Sequence, residues 1–206
     1  MNSNTEKQYI IIGAGGHAAV IADILYQSDY SLVGFLDDNA EIGKEVLGAS
    51  VIGKLEDCRD YPDCLFIIGV GDNSVRKEIA QSYPVTFGTA IHPSAVIGQQ
   101  VELGAGSVIM AGCIINPRTV IGEHCIINTN SSIDHDNKLG DFVHISPGVK
   151  TGGVVTIGNG THVGIGACVR NVVNICEGVL IGAGAVVVRD ILEPGTYIGV
   201  PARRVE

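Results

Sequence analysis

The stretch SVIMAGCIINPRTVIGEHCIINTNSSI, residues 107–133, repeats its pattern every six positions. A large aliphatic residue returns at Ile109, Ile115, Ile121 and so on to Ile133, and a small or β-branched residue stands two positions before each one. The inward face of an α-helix recurs about every 3.6 residues and that of an ordinary strand every second residue, so neither explains this period. The pattern predicts a solenoid of short strands and tight corners, with one aliphatic side chain per repeat filling the axis.

The same period continues on both sides of this stretch. The aliphatic position is kept from Ile91 to Val187, with Thr151 as the one lapse. The pattern resembles the hexapeptide-repeat left-handed β-helix of the acyltransferase superfamily over roughly residues 91–190. This resemblance implies that three repeats form one coil and that three subunits assemble side by side as a homotrimer.

A different pattern precedes the repeats, because short apolar runs alternate with segments of helical periodicity between residues 8 and 83. QYIIIGAGG, YSLVGFLDD and CLFIIGVGD are typical of buried strands, and NSVRKEIAQSYP predicts a helix with Asn73 or Ser74 as its N-cap and Pro84 as its stop. The alternation predicts a small Rossmann-like α/β domain. We therefore predict two domains, an α/β domain over residues 1–85 and an all-β left-handed parallel β-helix over residues 86–206.

Composition narrows the range of partners. The formal net charge of −9 argues against a nucleic-acid partner, because such surfaces need clustered Lys and Arg. No stretch reaches the roughly 18 apolar residues of a membrane span, and the N-terminal residues lack the pattern of a secretory leader. These features predict a cytoplasmic protein that binds small molecules and has no membrane partner.

The six cysteines include no CxxC pair, and a cytoplasmic compartment keeps thiols reduced. Cys113 and Cys125 occupy the small inward position of the six-residue repeat. We therefore predict that both are buried structural thiols rather than metal ligands or halves of a disulfide.

The segment IDHDNKLGDFVHISPG, residues 133–148, holds the strongest candidates for chemistry. His135, Asp136 and His144 all fall outside the axial aliphatic position, so they face outward or line a corner. A carboxylate beside an imidazole can fix its tautomer and raise its basicity, which suits a general base. The alternative for either histidine is an exposed surface residue with no chemical role.

This segment resembles the family of sialic-acid O-acetyltransferases and bacillosamine-type nucleotide-sugar N-acetyltransferases. The resemblance implies that His135 removes a proton from the attacking amine or hydroxyl and that Asp136 increases its basicity. It also implies that His144 contacts the thioester region of acetyl-CoA. The amino-sugar member of the family carries Glu after the base, so Asp136 brings a shorter side chain.

The C-terminal stretch VLIGAGAVVVRDILEPGTYIGVPARRVE resembles the signature of CoA-dependent hexapeptide transferases. The resemblance implies that acetyl-CoA is the co-substrate and that Ile165, Gly182 and Ala183 contact it. Tight corners of the solenoid explain the glycines equally well.

IIGAGGHAAV follows a predicted strand and opens a helix, where glycines let a diphosphate approach the helix N-terminus. Asp37 and Asp38 end the second strand, as the acidic residue of a dinucleotide site does. A domain this short lacks the second half that NAD requires, so a nucleotide-sugar is the preferred ligand. The family resemblance implies UDP-sugar contacts at Gly15, Gly16, His17, Asp37, Asp38 and Gly71. A water-exposed histidine at the helix start is the alternative for His17.

Zinc is the alternative cofactor, because γ-class carbonic anhydrases bind it through histidines on the same fold. His144 and His162 are one predicted coil apart, but the sequence offers no third ligand. We therefore predict that the protein uses no metal.

We predict an acetyl-CoA-dependent N-acetyltransferase that acts on a UDP- or dTDP-linked 4-amino-sugar by direct transfer, in surface-polysaccharide or glycan precursor synthesis. The first alternative is O-acetylation of a sialic acid or another sugar with the same base. The second is a non-catalytic solenoid that binds a sugar nucleotide.

Overall fold

The computed structural model describes residues 7–205, so the outer ends of the two predicted domains, residues 1–6 and 206, lie outside the described residues. The front region is an α/β unit. Its elements are β1 (Lys7–Ile12), α1 (Gly16–Tyr26), β2 (Tyr30–Leu36), β3 (Glu45–Val46), β4 (Ala49–Gly53), a 3-10 helix (Leu55–Asp60), β5 (Leu65–Ile68) and α2 (Asn73–Ser82). The sheet order is β3-β4-β2-β1-β5, with all neighbours parallel except the β3–β4 pair. The carboxyl ends of β1, β2 and β5 therefore meet at one edge.

The start of α2 differs from the prediction by one residue. Asp72 is the N-cap, because its carboxylate accepts hydrogen bonds from the Ser74 and Val75 amides at 2.9 and 3.0 Å. The Asn73 side chain does not cap the helix, and its amide donates to the Gly160 carbonyl at 2.9 Å. The prediction of Asn73 or Ser74 as N-cap is therefore wrong. Neither described helix has the length and apolarity that a membrane crossing requires.

From Ala90 onward the chain is a β-solenoid with three faces, and its neighbouring strands are parallel except for the last pair. Face 1 contains β6 (Ala90–Ile91), β9 (Val108–Ile109), β12 (Ile126–Ile127), β15 (His144–Ile145), β18 (His162–Val163), β21 (Val179–Ile181), β23 (Gly195–Ile198) and β24 (Arg203–Val205). Face 2 contains β7 (Val96–Ile97), β10 (Ile114–Ile115), β13 (Ser132–Ile133), β16 (Lys150–Thr151), β19 (Cys168–Val169) and β22 (Val186–Val187). Face 3 contains β8 (Glu102–Leu103), β11 (Val120–Ile121), β14 (Lys138–Leu139), β17 (Thr156–Ile157) and β20 (Asn174–Ile175). The chain runs through faces 1, 2 and 3 in turn, and corners join them.

The predicted register of the repeat is confirmed. Ile115 pairs with Ile133, eighteen positions on, so one coil takes three repeats. The axial residues from Ile109 to Val187 are buried, Thr151 included. At the open first coil the axial residues are only partly covered, with Ile97 37% exposed. Cys113 and Cys125 are fully buried in the small inward position, as predicted.

Arg76 of α2 fastens the front region to the solenoid. Its side chain is 1% exposed, and its five N–H groups donate to neutral oxygens. The acceptors are the carbonyls of Val70 and Gly71 at 3.2 and 3.1 Å, the Asn73 side chain at 2.7 Å, and the solenoid carbonyls of His124 and Phe142 at 2.8 and 3.2 Å. This arrangement holds the loop after β5 against the corner between faces 3 and 1. The predicted domain boundary after residue 85 stays a prediction.

His124 is buried at the same junction. Its ring lies edge-on to Phe87, with centroids 4.5 Å apart, and stacks on Phe142 at 5.1 Å. Nδ1 has no hydrogen-bond partner among the described residues. Burial, and then the positive charge of Arg76, lower the pKa of His124 to about 4. The folded protein therefore holds this imidazole neutral.

Acid is expected to destabilise the fold through His124. Unfolded, this histidine binds a proton below about pH 6.5, whereas in the fold it does so only below about pH 4. The stability that neutral His124 contributes is fully present at a pH above its unfolded pKa. It is lost, by up to about 3 kcal/mol, as the pH falls toward its folded pKa.

Urea unfolding of wild type and His124→Asn across this pH range measures the effect, because asparagine tolerates the positive φ of this position. We expect the difference between the two free energies of unfolding to shrink with acid. Parallel curves would contradict the prediction.

Candidate active site

His135 and Asp136 lie on the corner between faces 2 and 3, directly after β13. The preceding carboxylate, Asp134, accepts hydrogen bonds from the His135 amide and the Asn116 side chain, both at 2.8 Å. The buried amide of Asn137 donates to the carbonyls of Asp134 and His135 at 2.8 and 3.2 Å. These bonds fix the backbone from which the imidazole projects.

The His135 imidazole and the Asp136 carboxylate are in contact, with Nδ1 2.6 Å from Oδ2. The shorter side chain of aspartate therefore reaches the imidazole. Hydrogen bonds from Arg118 and from His135 hold the pKa of Asp136 well below its usual range. An ionised carboxylate can only accept, so Nδ1 of His135 is the donor in this contact, and in the neutral imidazole the lone pair is then on Nε2. The ring is half exposed, which leaves Nε2 accessible to a substrate.

The coil beyond His135 leaves room for its ring by having a glycine beneath it. A Cβ built on Gly153 would lie 2.7 Å from both Cε1 and Nε2 of His135. Gly153 has no positive φ, so the backbone itself would accept another residue. The position of the His135 imidazole therefore depends on the absence of a side chain at Gly153.

Replacing Gly153 by alanine is expected to lower turnover about tenfold to a hundredfold while the fold survives. The half-exposed ring can swing away from the new methyl group, so the clash is relieved by moving His135 rather than the backbone, and such small displacements are costly in catalysis. Steady-state rates and thermal melts of wild type and Gly153→Ala test this. Equal rates in wild type and Gly153→Ala would contradict it.

His144 lies elsewhere, on β15 of face 1. It is 9% exposed, and its Nδ1 lies 3.2 Å from the Gly71 carbonyl, to which it donates. Its ring stacks on His162 with centroids 4.4 Å apart. Burial first, and then the neighbouring His162 and Arg76, lower the pKa of His144 to about 3. This imidazole is therefore neutral at neutral pH, and the alternative of an exposed surface residue is wrong for it.

A large cavity of about 1080 Å³ opens beside His144, between α2 and the solenoid. Asp72, Ser74 and Lys77 line it from the front region, and His162 and Leu180 line it from face 1. Gly71, one of the predicted substrate residues, borders the same cavity. His135 does not line it.

Three of the four predicted CoA residues, Ile165, Gly182 and Ala183, follow one another along the corner between faces 1 and 2. Ile165 is 61% exposed, and its carbonyl accepts from the Gly184 amide at 2.8 Å, so the turn holding Gly182 and Ala183 stacks directly on it. His144 lies on the neighbouring face 1, whereas His135 is on the next corner, between faces 2 and 3, at the other edge of face 2. One chain therefore does not bring the predicted base and the predicted CoA residues together.

The glycine-rich turn forms as the sequence predicts. Gly15 is the N-cap of α1, and a Cβ built on Gly15 or Gly16 would meet no atom within 4 Å, so the helix N-terminus is open. His17 follows, and its Nε2 is buried with no hydrogen-bond partner among the described residues. Burial and then Arg76 lower the pKa of His17 to about 4. The alternative of a water-exposed His17 is therefore wrong.

Asp37 and Asp38 line a second cavity of about 330 Å³ together with Gly13 and Tyr83. Their roles differ. Asp37 is occupied within its own loop, because it accepts the amides of Ala14, Asn39 and Ala40 at 2.7, 2.8 and 3.0 Å. Asp38 accepts only the Leu55 amide, at 2.9 Å on Oδ1, which leaves its other oxygen available to a ligand within the described part of the chain.

No three His, Cys, Asp or Glu side chains among residues 7–205 are grouped closely enough to hold a metal ion. The rings of His144 and His162 stack face to face, and Ser146 lies 2.8 Å from Nε2 of His162. Their nitrogens therefore do not converge on one point, which disfavours the zinc alternative.

Known proteins match both regions. The model of the PglD N-terminal domain matches residues 8–83, and the model of the bacterial transferase hexapeptide (six repeats) matches residues 94–129. A variant of perosamine N-acetyltransferase from Caulobacter crescentus, solved in complex with CoA and GDP-perosamine, is 35% identical with a TM-score of 0.91, and the match covers 97% of each chain. This chain belongs to the bacillosamine- and perosamine-type nucleotide-sugar N-acetyltransferase family.

Two further members of this N-acetyltransferase family support the assignment. The acetyltransferase domain of PglB from Neisseria gonorrhoeae FA1090, solved with acetyl coenzyme A, is 34% identical with a TM-score of 0.92, covering 97% of this chain and all (100%) of that chain. UDP-N-acetylbacillosamine N-acetyltransferase from Bacillus subtilis (strain 168) is 42% identical over 112 residues, 51% of this chain and 52% of that protein. The chain thus spans about half the length of this curated relative. The predicted fold class, an α/β domain followed by a left-handed β-helix, is confirmed.

Two arginines of this chain are absent from the sequence-based prediction. Arg118 could have been found by counting, because it lies eighteen residues before Asp136, which is one coil. Arg76 carries no comparable signal, because an arginine in an amphipathic helix is ordinarily exposed.

Proposed function

We propose that this chain transfers an acetyl group from acetyl-CoA to the 4-amino group of a nucleotide-linked sugar, in surface-polysaccharide or glycan precursor synthesis. The observation that carries the proposal is the His135–Asp136 contact, which directs Nδ1 of His135 to the carboxylate and leaves Nε2 as the nitrogen that faces a substrate. The bound GDP-perosamine and CoA of the Caulobacter crescentus relative support both substrate classes.

The reaction needs a base because an ammonium cannot attack a thioester. Nε2 of His135 takes a proton from the sugar amine as the new N–C bond forms. The C–S bond then breaks, and the leaving sulfur of CoA ends as a thiol on receiving a proton. Asp136 stabilises the imidazolium that exists between these two proton transfers.

The front region is proposed to hold the nucleotide part of the substrate. The free oxygen of Asp38 in the smaller cavity accepts a hydrogen bond from the nucleoside. The open N-terminus of α1 at Gly15 and Gly16, with His17 beside it, receives the diphosphate. Asp37 orders the loop, and the sugar extends toward Gly71.

A homotrimer is proposed because one chain does not complete the site. His135 lies on the corner between faces 2 and 3, whereas Ile165, Gly182 and Ala183 lie on the corner between faces 1 and 2 and His144 lies on face 1. Placing copies side by side lets the His135 corner of one face the CoA corner of the next. Val154 and Val172, which are 49% and 62% exposed on the His135 corner, support such packing.

We propose the cytoplasm as the site of the reaction. All six cysteines are free thiols, among them the exposed Cys168 and the partly exposed Cys176. Accessible thiols of this kind persist in a reducing compartment.

Release of CoA, followed with a thiol reagent, tests the function. Acetyl-CoA is offered with UDP-, dTDP- and GDP-linked 4-amino-sugars and with free sialic acid as the control acceptor. We expect turnover with one nucleotide-linked amino-sugar. Turnover with sialic acid alone would establish O-acetylation instead. Binding of acetyl-CoA and nucleotide-sugar with no turnover on any acceptor would indicate a non-catalytic solenoid.

A further inference from the structure

Arg118 stands one coil before Asp136 on the same corner. Both residues have a positive φ, 63° for Arg118 and 58° for Asp136, so their side chains leave the corner in the same way and meet. Nε of Arg118 donates to Oδ1 and Nη2 donates to Oδ2, each at 2.7 Å. The guanidinium therefore grips the carboxylate with two parallel hydrogen bonds, which fix its plane.

This ion pair has little to do with stability. The Arg118 side chain is 57% exposed, and exposed ion pairs contribute little or nothing to the free energy of unfolding. The chemical importance of the ion pair lies in Oδ2 of Asp136, which Arg118 shares with His135. Oδ2 of Asp136 accepts from Nη2 of Arg118 and also from Nδ1 of His135, at 2.7 and 2.6 Å. Any rotation of the carboxylate therefore breaks the bond that selects the His135 tautomer.

The charge of Arg118 also acts on the pair of Asp136 and His135. A lone carboxylate strengthens the hold of an imidazole on its proton, whereas a carboxylate already paired with a cation does so less. A base that must release its proton after every turnover works best when this hold is moderate.

Resting on the function proposed above, we infer that Arg118 is a positioning residue for the transfer reaction. It locks the Asp136 carboxylate in the plane that keeps the proton on Nδ1 of His135 and presents Nε2 to the amine. It also moderates the basicity of His135 through the charge of Asp136.

Few other charged groups lie close enough to the His135 imidazole to mask the effect of Arg118. The titratable or charged neighbours that face the imidazole are Arg118, Asp134 and Asp136. The next coil presents Gly152, Gly153 and Val154 at this corner, and none of the three titrates. A change in the pH profile on altering Arg118 is therefore attributable to the pair with Asp136.

The test compares Arg118→Gln and Arg118→Lys with wild type, and uses Arg170→Gln, on the same corner, as the matched control. Arg118→Gln is expected to lower kcat about tenfold with little change in KM for the nucleotide-sugar. The acidic limb of its kcat/KM profile is expected to move about half a unit to higher pH, because a cation is lost near the base. Arg118→Lys should keep the wild-type limb and recover part of kcat.

Nitrogen NMR of the His135 ring gives a readout that does not depend on activity. We expect the Nδ1-protonated tautomer in wild type and in Arg170→Gln, and a mixture of tautomers in Arg118→Gln. An unchanged tautomer with an unchanged pH profile in Arg118→Gln would overturn the inference, as would an equal loss of kcat in Arg170→Gln. Wild-type protein that turns over no acceptor would refute the proposed function, and the tautomer measurement would still decide the role of Arg118.

Discussion

Turnover of the nucleotide-linked amino-sugar is expected to fall about a hundredfold to ten-thousandfold when His135 is replaced by alanine, the range that loss of a general base ordinarily produces. The substitution removes the group that collects the amine proton. It leaves the rest of the corner in place, because the backbone bonds there are made by Asp134 and Asn137. The imidazole is half exposed, so the folded state loses little packing. The measurement is kcat by CoA release over a range of pH.

His92→Ala is the matched control for this prediction. His92 is also on the solenoid, and its ring bonds only Ser94, on the first coil. We expect wild-type rates from it. Added imidazole should restore part of the activity of His135→Ala, because the cavity left by the ring is open to solvent. Unimpaired turnover in His135→Ala would move the role of base to another group.

Replacing Ile115 by aspartate is expected to abolish the folded state. Ile115 is fully buried on the axis, where an ionised carboxylate would have no partner and water cannot follow. The penalty is several kcal/mol, comparable with the about 5–15 kcal/mol that stabilises a typical domain. The parallel neighbours Ile97 and Ile133 would lose their contact with the isoleucine as well.

The chain offers an unusually close control in the preceding residue. Ile114 is the same residue type on the same strand, but it points outward and is 42% exposed. Ile114→Asp is expected to change stability by less than about 1 kcal/mol. Circular dichroism and thermal melts of both variants measure the difference. A cooperative melt of Ile115→Asp near the wild-type temperature would show that the inward and outward positions had been exchanged.

The sequence alone predicts the solenoid almost completely, because one inward aliphatic residue per repeat is required by the packing of each coil. It also predicts the glycine-rich turn at Gly15 and the corner that carries His135. It does not predict what Asp37 does, since the three amides that this carboxylate accepts belong to a loop whose shape has no periodic signal. The burial of Arg76 and His124 is likewise invisible, because it results from the packing of two regions against each other.

The separation of His135 from the predicted CoA residues is also hard to predict from the sequence. The spacing of nine positions from His135 to His144 is in the sequence, but it becomes half a turn only when eighteen residues are known to make a coil. Read along the chain, the two histidines are neighbours. Around the solenoid they are as far apart as one coil allows.

The pairing of residues eighteen positions apart restricts how the chain length can change. Deleting a single residue between Ile109 and Val187 would shift the register of every later strand by one position. The outward residue of each strand would then point to the solenoid axis, and the axial residue beside it would point to solvent. Loss of one six-residue repeat would spare that alternation, but it would move each later strand to the wrong face and separate corner partners such as Arg118 and Asp136. Outward side chains can therefore drift one at a time over evolution, whereas length can be gained or lost only in whole coils.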